Sequence, residues 1–166
     1  MNIGEAFVGS GADAAHINTV LGRRDGPVGV AWATALATPT TGHARFVVVA
    51  RPGIAVQPMT LFVNKAQLSP ENVTHANLTW GAAQAGVAAG VGDALRAGVI
   101  DQASAADLLL IAAVWVDPGA TDAEAVYRNN REATALALAA GADGRPSVEE
   151  FLAVADNPFN PFFTPA

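Results

Sequence analysis

Hydrophobic and polar positions change period several times along this 166-residue chain, and each change marks an element. Glu5 to Val8 predicts a short strand that runs into a glycine turn, Gly9-Ser10-Gly11. His16 to Leu21 alternates poorly, yet its β-branched content predicts a second strand. Arg23 to Pro27 is a turn, Val28 to Ala37 reads as helix, and Pro39-Thr40-Thr41-Gly42 breaks it. Arg45 to Ala50 predicts a buried strand, ended by Arg51-Pro52-Gly53, and Met59 to Asn64 predicts another. Ser69-Pro70 reads as a helix start, with serine as N-cap and proline at the first helical position. Gly81 to Ala97 is a helix of small residues in which Gly86 and Gly90 leave one face almost bare. Each glycine costs roughly 1 kcal/mol against alanine there, so a close backbone approach should compensate. Asp107 to Val116 is an apolar strand. Thr121-Asp122-Ala123-Glu124 reads as a capping box for a helix to about Ala140, and Ser147-Val148-Glu149-Glu150 as a second one for a short helix. The tail from Asn157 to Phe163 has no periodicity and is rich in aromatics, so it should dock on a groove or on a neighbour.

The order, ββαββααβα with a short final helix, fits an α+β layered domain better than a strict βαβα alternation. No repeat or linker divides the chain, which reads as one domain over residues 1–166.

Composition sharpens this picture. Charged residues make up only 14% of the chain and apolar residues 51%, against about 25% charged in ordinary soluble domains. Either neighbouring copies cover part of the surface or alanine and glycine inflate the apolar count; runs such as Ala82 to Val91 favour oligomerisation. A net charge of −6 argues against nucleic acid or an anionic membrane as the main partner. With no cysteine there is no disulfide, thiolate nucleophile or Cys-ligated zinc. No apolar run reaches the ~18 residues that span a bilayer, and no secretory pattern opens the chain, so the cytoplasm is the expected compartment.

Candidate chemistry is sparse. Lys65 is the sole lysine among nine strong bases. It is either a solvated strand end or a group doing what arginine cannot, because lysine is a compact charge whose pKa moves on burial. Gly9-x-Gly11-x-x-Ala14 superficially matches a dinucleotide fingerprint, but Ala15 to Val20 is a poor helix and only Asp25 lies where the ribose-binding acid belongs, so the plainer reading is a glycine turn between antiparallel strands. His16, His43 and His75 show no metal-ligand spacing, and no metal is expected. His43 and His75 fall in polar contexts and read as solvated. His16, in an apolar stretch after a glycine turn, is either a satisfied core histidine or a general acid–base group. Gln84, the one polar side chain between Gly81 and Gly92, either bridges backbone groups or faces a ligand.

Taken in order, several segments resemble the formaldehyde-activating enzyme family, the tetrahydromethanopterin hydro-lyases. Gly4-Glu5-Ala6-Phe7-Val8-Gly9 resembles the family's opening Gly-Glu-Ala-Leu-Val-Gly. Ala15-His16-Ile17, Pro58-x-Thr60-Leu61, Asn64-Lys65 and Gly81-x-Ala83-Gln84-x-Gly86-Val87-Ala88 resemble later family motifs, and Glu132-Ala133-Thr134 also fits. The similarity runs from about residue 4 to residue 140. It implies a two-layer αβ sandwich of the ribosomal-protein second-domain-like type, a mixed sheet covered by helices on one face, and a homopentamer with sites between adjacent subunits. It implies His16 as catalytic acid and Asn18, Val47, Lys65, Gln67 and Gln84 as substrate-binding residues. The implied reaction condenses formaldehyde with tetrahydromethanopterin, a co-substrate that accepts the one-carbon unit, with no metal.

Three positions depart from the family pattern. Asn18 stands where the family has aspartate, Gln67 where it has threonine, and Ala85 where it has histidine. A carboxylate beside an imidazole favours the charged ring; asparagine keeps the acceptor oxygen without the charge. These departures feed an alternative, a non-catalytic paralogue that binds a pterin or another small ligand related to one-carbon chemistry.

Overall fold

Five strands make the main sheet of the structure, a computed structural model that describes residues 1–160 and 163–165. β1 (Asn2–Val8) and β2 (Ala15–Arg23) form an antiparallel hairpin around a 3-10 turn, Gly11–Asp13. β2 pairs antiparallel with β7 (Leu108–Trp115), β7 parallel with β6 (Met59–Asn64), and β6 antiparallel with β3 (Arg45–Val47). The spatial order is therefore β1-β2-β7-β6-β3, a mixed sheet in an α+β protein. The strand expected over residues 45–50 is split: the chain leaves the sheet after Val47, and β4 (Val49–Arg51) pairs instead with β5 (Ile54–Ala55) in a small second hairpin. Val48 joins the two, donating its N–H to Thr60 and accepting from Val56.

Alternation gives each strand two faces. On one face Ala6, Ile17, Leu110, Ala112, Phe62 and their neighbours form the core. Two long helices cover it: α3 (Gln84–Arg96) and α4 (Ala123–Asp143). A Cβ on Gly86 would meet the Tyr127 carbonyl oxygen at 2.5 Å, and one on Gly90 the Arg131 carbonyl oxygen at 2.5 Å. The bare stripe is thus the seat of α4, and the close approach expected for those glycines is present. The opposite face carries Glu5, His16, Asn18, Trp115, Val63 and Val47 by register. Its far end is roofed by α1 (Pro27–Ala37), whose Val28 fills the space over Gly22.

The helix expected to start at Ser69 starts later. Ser69 closes a short turn, accepting the Glu71 N–H at 3.2 Å, and Asn72 caps α2 (Val73–Asn77) by accepting the His75 N–H at 3.0 Å. One π-helical turn, Leu78–Ala83, carries α2 directly into α3, so the helical stretch begins before Gly81. His75 consequently faces inward: it is 1% exposed and its Nε2 lies 2.9 Å from the Val116 carbonyl oxygen. The solvated reading of His75 is corrected by that placement. His43 is partly buried as well, its Nδ1 3.2 Å from the Asn64 carbonyl oxygen. The cap of α4 is Asp122 rather than Thr121; the N–H groups of both residues donate to Asp13 Oδ1, leaving Asp122 to accept from Ala125. The second capping box is formed as expected, with Ser147 and Glu150 opening α5 (Val148–Leu152).

Candidate active site

The hairpin register decides what surrounds His16. It pairs with Phe7 on β1 and Trp115 on β7, so all three share the open face. Two residues along β1, Glu5 also points to that face, and its Oε1 lies 2.9 Å from His16 Nε2. Both side chains meet water, at 41% and 58% exposure, which excludes the core-histidine reading. The Phe7 ring stands 6.0 Å from the imidazole, tilted by 51°. Glu5, Phe7 and His16 line a cavity of about 840 Å³. Glu5 holds one ring nitrogen, so Nδ1 is the atom that can exchange a proton with a bound molecule.

Asn18 is exposed and sits opposite Glu5 in the register. Glu5 brings a carboxylate to the imidazole from the neighbouring strand, and Asn18 brings an amide to the same face.

Lys65 is exposed and directly follows β6. Its N–H continues the parallel ladder to the Val114 carbonyl oxygen at 2.9 Å, which puts its backbone level with Trp115 and two strands from His16. Strand spacing makes that roughly 10 Å. Asn64 explains why an asparagine precedes it. The Asn64 amide bonds both the N–H and the carbonyl of Ala66, at 3.2 and 2.6 Å, and so fixes the turn that carries Lys65. Gln67 is exposed in the same segment and rests against Gly42 in the loop before β3.

Val47 and Gln84 meet elsewhere, at the free edge of β3. They line a cavity of about 430 Å³ with Arg45, Phe46 and Trp80. Gln84 Oε1 accepts the Val49 N–H at 2.9 Å, and its Nε2 donates to the Trp80 carbonyl at 3.0 Å. Of the two readings for Gln84, bridging backbone groups is the one seen, and it pins the edge of the second hairpin to the helix. Val47 is level with Val20, four residues and three strands from His16. By strand rise and spacing that is roughly 20 Å. One copy of the chain thus gathers His16, Glu5, Asn18 and Lys65 in one place and Val47 with Gln84 in another.

Sequence reading missed Glu5, Phe7 and Trp115 as neighbours of His16. The glycine turn between antiparallel strands is present as expected, and the missing step was its register, which sets Phe7 opposite His16. The aromatic tail was expected on a groove or a neighbour, and Phe159, Asn160 and Thr164 lie along the His16 cavity. Pro161 and Phe162 of that tail are outside the described residues.

The sheet of this α+β protein presents an imidazole–carboxylate pair on a solvent-facing cavity. The chain belongs to the formaldehyde-activating enzyme (Fae) family, whose model matches residues 3–163. It is 43% identical over 160 residues to the 5,6,7,8-tetrahydromethanopterin hydro-lyase of Methanosarcina barkeri, covering 96% of this chain and 89% of the relative. It is also 38% identical over 150 residues to the bifunctional enzyme Fae/Hps of Methanothrix thermoacetophila, covering 90% of this chain but 38% of that longer protein. The corresponding enzyme of Archaeoglobus fulgidus is 35% identical over 160 residues, covering 96% of this chain and 40% of the relative. Among the described residues no helix is long and apolar enough to cross a membrane.

Proposed function

We propose that this protein is a hydro-lyase that condenses formaldehyde with tetrahydromethanopterin, giving the methylene derivative and water. The observation that carries the proposal is the half-exposed His16–Glu5 pair on the open sheet face of a chain in this family.

The chemistry follows from what one ring nitrogen can do. A pterin ring nitrogen adds to the carbonyl carbon of formaldehyde, and the product is a carbinolamine. Its carbon–oxygen bond breaks only if the departing hydroxide takes up a proton. His16, held at Nε2 by Glu5, delivers that proton from Nδ1 and water leaves. The arylamine nitrogen then attacks the iminium carbon and must lose a proton as the ring closes. Neutral His16 recovers a proton at that step, so the cycle returns the side chain to its starting state. Two N–H bonds and one carbonyl become an N–CH2–N bridge and one water, with no redox change. General acid–base catalysis of this kind is worth roughly 10² to 10⁴ in rate, and orientation of the two nitrogens adds to it.

Lys65 serves as a binding group for a polar edge of the pterin rather than as a Schiff-base nucleophile, since a lysine adduct would compete with the pterin for formaldehyde. Asn18 and Gln67 flank the same region as polar contacts. Val47 and Gln84 would complete the site from an adjacent subunit, which is why we place it between copies of a homopentamer in the cytoplasm. The roughly 20 Å between the two residue groups supports a shared site. The apolar α1 supports an oligomer too: it carries no charge, yet Val30 is 70% and Leu36 42% exposed. Comparing the rate of methylene-tetrahydromethanopterin formation with and without enzyme tests the proposal; a rate equal to the spontaneous background moves the non-catalytic paralogue ahead.

A further inference from the structure

The end of the chain returns to the His16 face. Past α5, Asn160 and Phe163 exchange backbone hydrogen bonds of 2.9 and 3.0 Å. Phe159, Asn160 and Thr164 form one wall of the cavity whose other wall is Glu5, Phe7 and His16. Two aromatic rings therefore border the cavity, Phe7 on the strand side and Phe159 on the tail side. Phe159 is 77% exposed and α5 buries no residue, so contribution to the core does not account for an aromatic at this point. An apolar ring beside an acid–base pair suits a planar aromatic amine: the ring supplies a face, and the pair serves the reacting atoms.

We propose that Phe159 is a specificity-determining residue that packs against the planar ring system of the amine substrate. This rests on the function proposed above. Formaldehyde has no ring face for an aromatic side chain to pack against, so Phe159 acts on the amine substrate alone.

Steady-state kinetics of the full chain tests it, with tetrahydromethanopterin and formaldehyde varied separately and thermal unfolding followed alongside. Phe159→Ala should raise KM for tetrahydromethanopterin roughly two- to tenfold, the range of one aromatic contact. The kcat, the formaldehyde KM and the Tm should stay at wild-type values, and Phe159→Tyr should restore the KM. An unchanged KM in Phe159→Ala overturns the proposal, as does a fall in Tm that tracks the loss with no rescue by tyrosine. Should the wild type show no acceleration over background, the functional reading fails separately. Calorimetric titration with tetrahydromethanopterin then decides: weaker binding by Phe159→Ala supports the wall, and equal binding, or none by either protein, overturns it.

Discussion

An imidazole held at Nε2 by a carboxylate 2.9 Å away has one nitrogen left for chemistry, and its surroundings set what that nitrogen can do. His16 lies on the sheet face away from the core, half exposed, so removing its ring leaves no cavity in the packing. His16→Ala should therefore fold with stability within about 0.5 kcal/mol of wild type and lose most of the rate above background, roughly 10² to 10⁴. Glu5→Ala should lose a smaller share, because the ring remains but is no longer held. Asn18 is opposite Glu5, so a carboxylate at position 18 occupies the same side of the imidazole. Asn18→Asp in a Glu5→Ala background should recover part of the lost rate, whereas in the wild type it places two like charges across from each other and gains little. Equal rates for Glu5→Ala with and without the added aspartate would show that position 18 does not act through His16.

Among the elements, the seam between α3 and α4 holds the core face shut. Gly90 faces the Arg131 carbonyl and the Thr134 side chain, so Gly90→Ala gains helix propensity but forces the helices apart. Overpacking of this kind costs about 1 to 3 kcal/mol, and chemical denaturation should show a net loss. At the exposed rim of the seam Arg131 and Arg96 on either side bond Asp93, and the Arg131 hydrogen bond leads in holding the Asp93 carboxyl below the usual carboxylate range. A carboxyl lowered on folding stabilises the protein above its unfolded pKa, about 3.9. That contribution disappears as the pH falls through the lower folded value. Asp93→Asn should thus lower Tm at neutral pH, with the gap to wild type closing below about pH 4; a gap constant with pH would mean the ion pair contributes nothing. Both glycines of the seam were legible in the sequence, because glycine four residues apart inside a helix is costly unless a neighbouring backbone fills the bare face. Other boundaries were not legible. Ser69 and Asn72 are both good caps three residues apart, and only the inward placement of His75 selects the second. Thr121 and Asp122 compete in the same way, and Asp13, remote in sequence, takes the N–H groups of both.

Across the whole molecule, the candidate residues divide by where they fall on the sheet. His16, Asn18 and Lys65 stood out one by one in the sequence, while their grouping depends on strand order, which no local pattern encodes. Glu5 was hidden for the same reason: its role exists only through the β1–β2 register. Val47 and Gln84 remain apart from His16 within one chain, and a neighbouring copy is what would join them. Light scattering should therefore give a ring-sized oligomer at micromolar concentration. Val30→Glu on the exposed flank of α1 should weaken that oligomer and the activity together. A stable, fully active monomer would remove the shared site.

The most direct test of the central claim is the initial rate of methylene-tetrahydromethanopterin formation by wild type and His16→Ala, each set against the spontaneous reaction. An acid–base role for His16 predicts a wild-type rate far above background and a folded His16→Ala protein close to it. A folded His16→Ala protein that matches the wild type would contradict it.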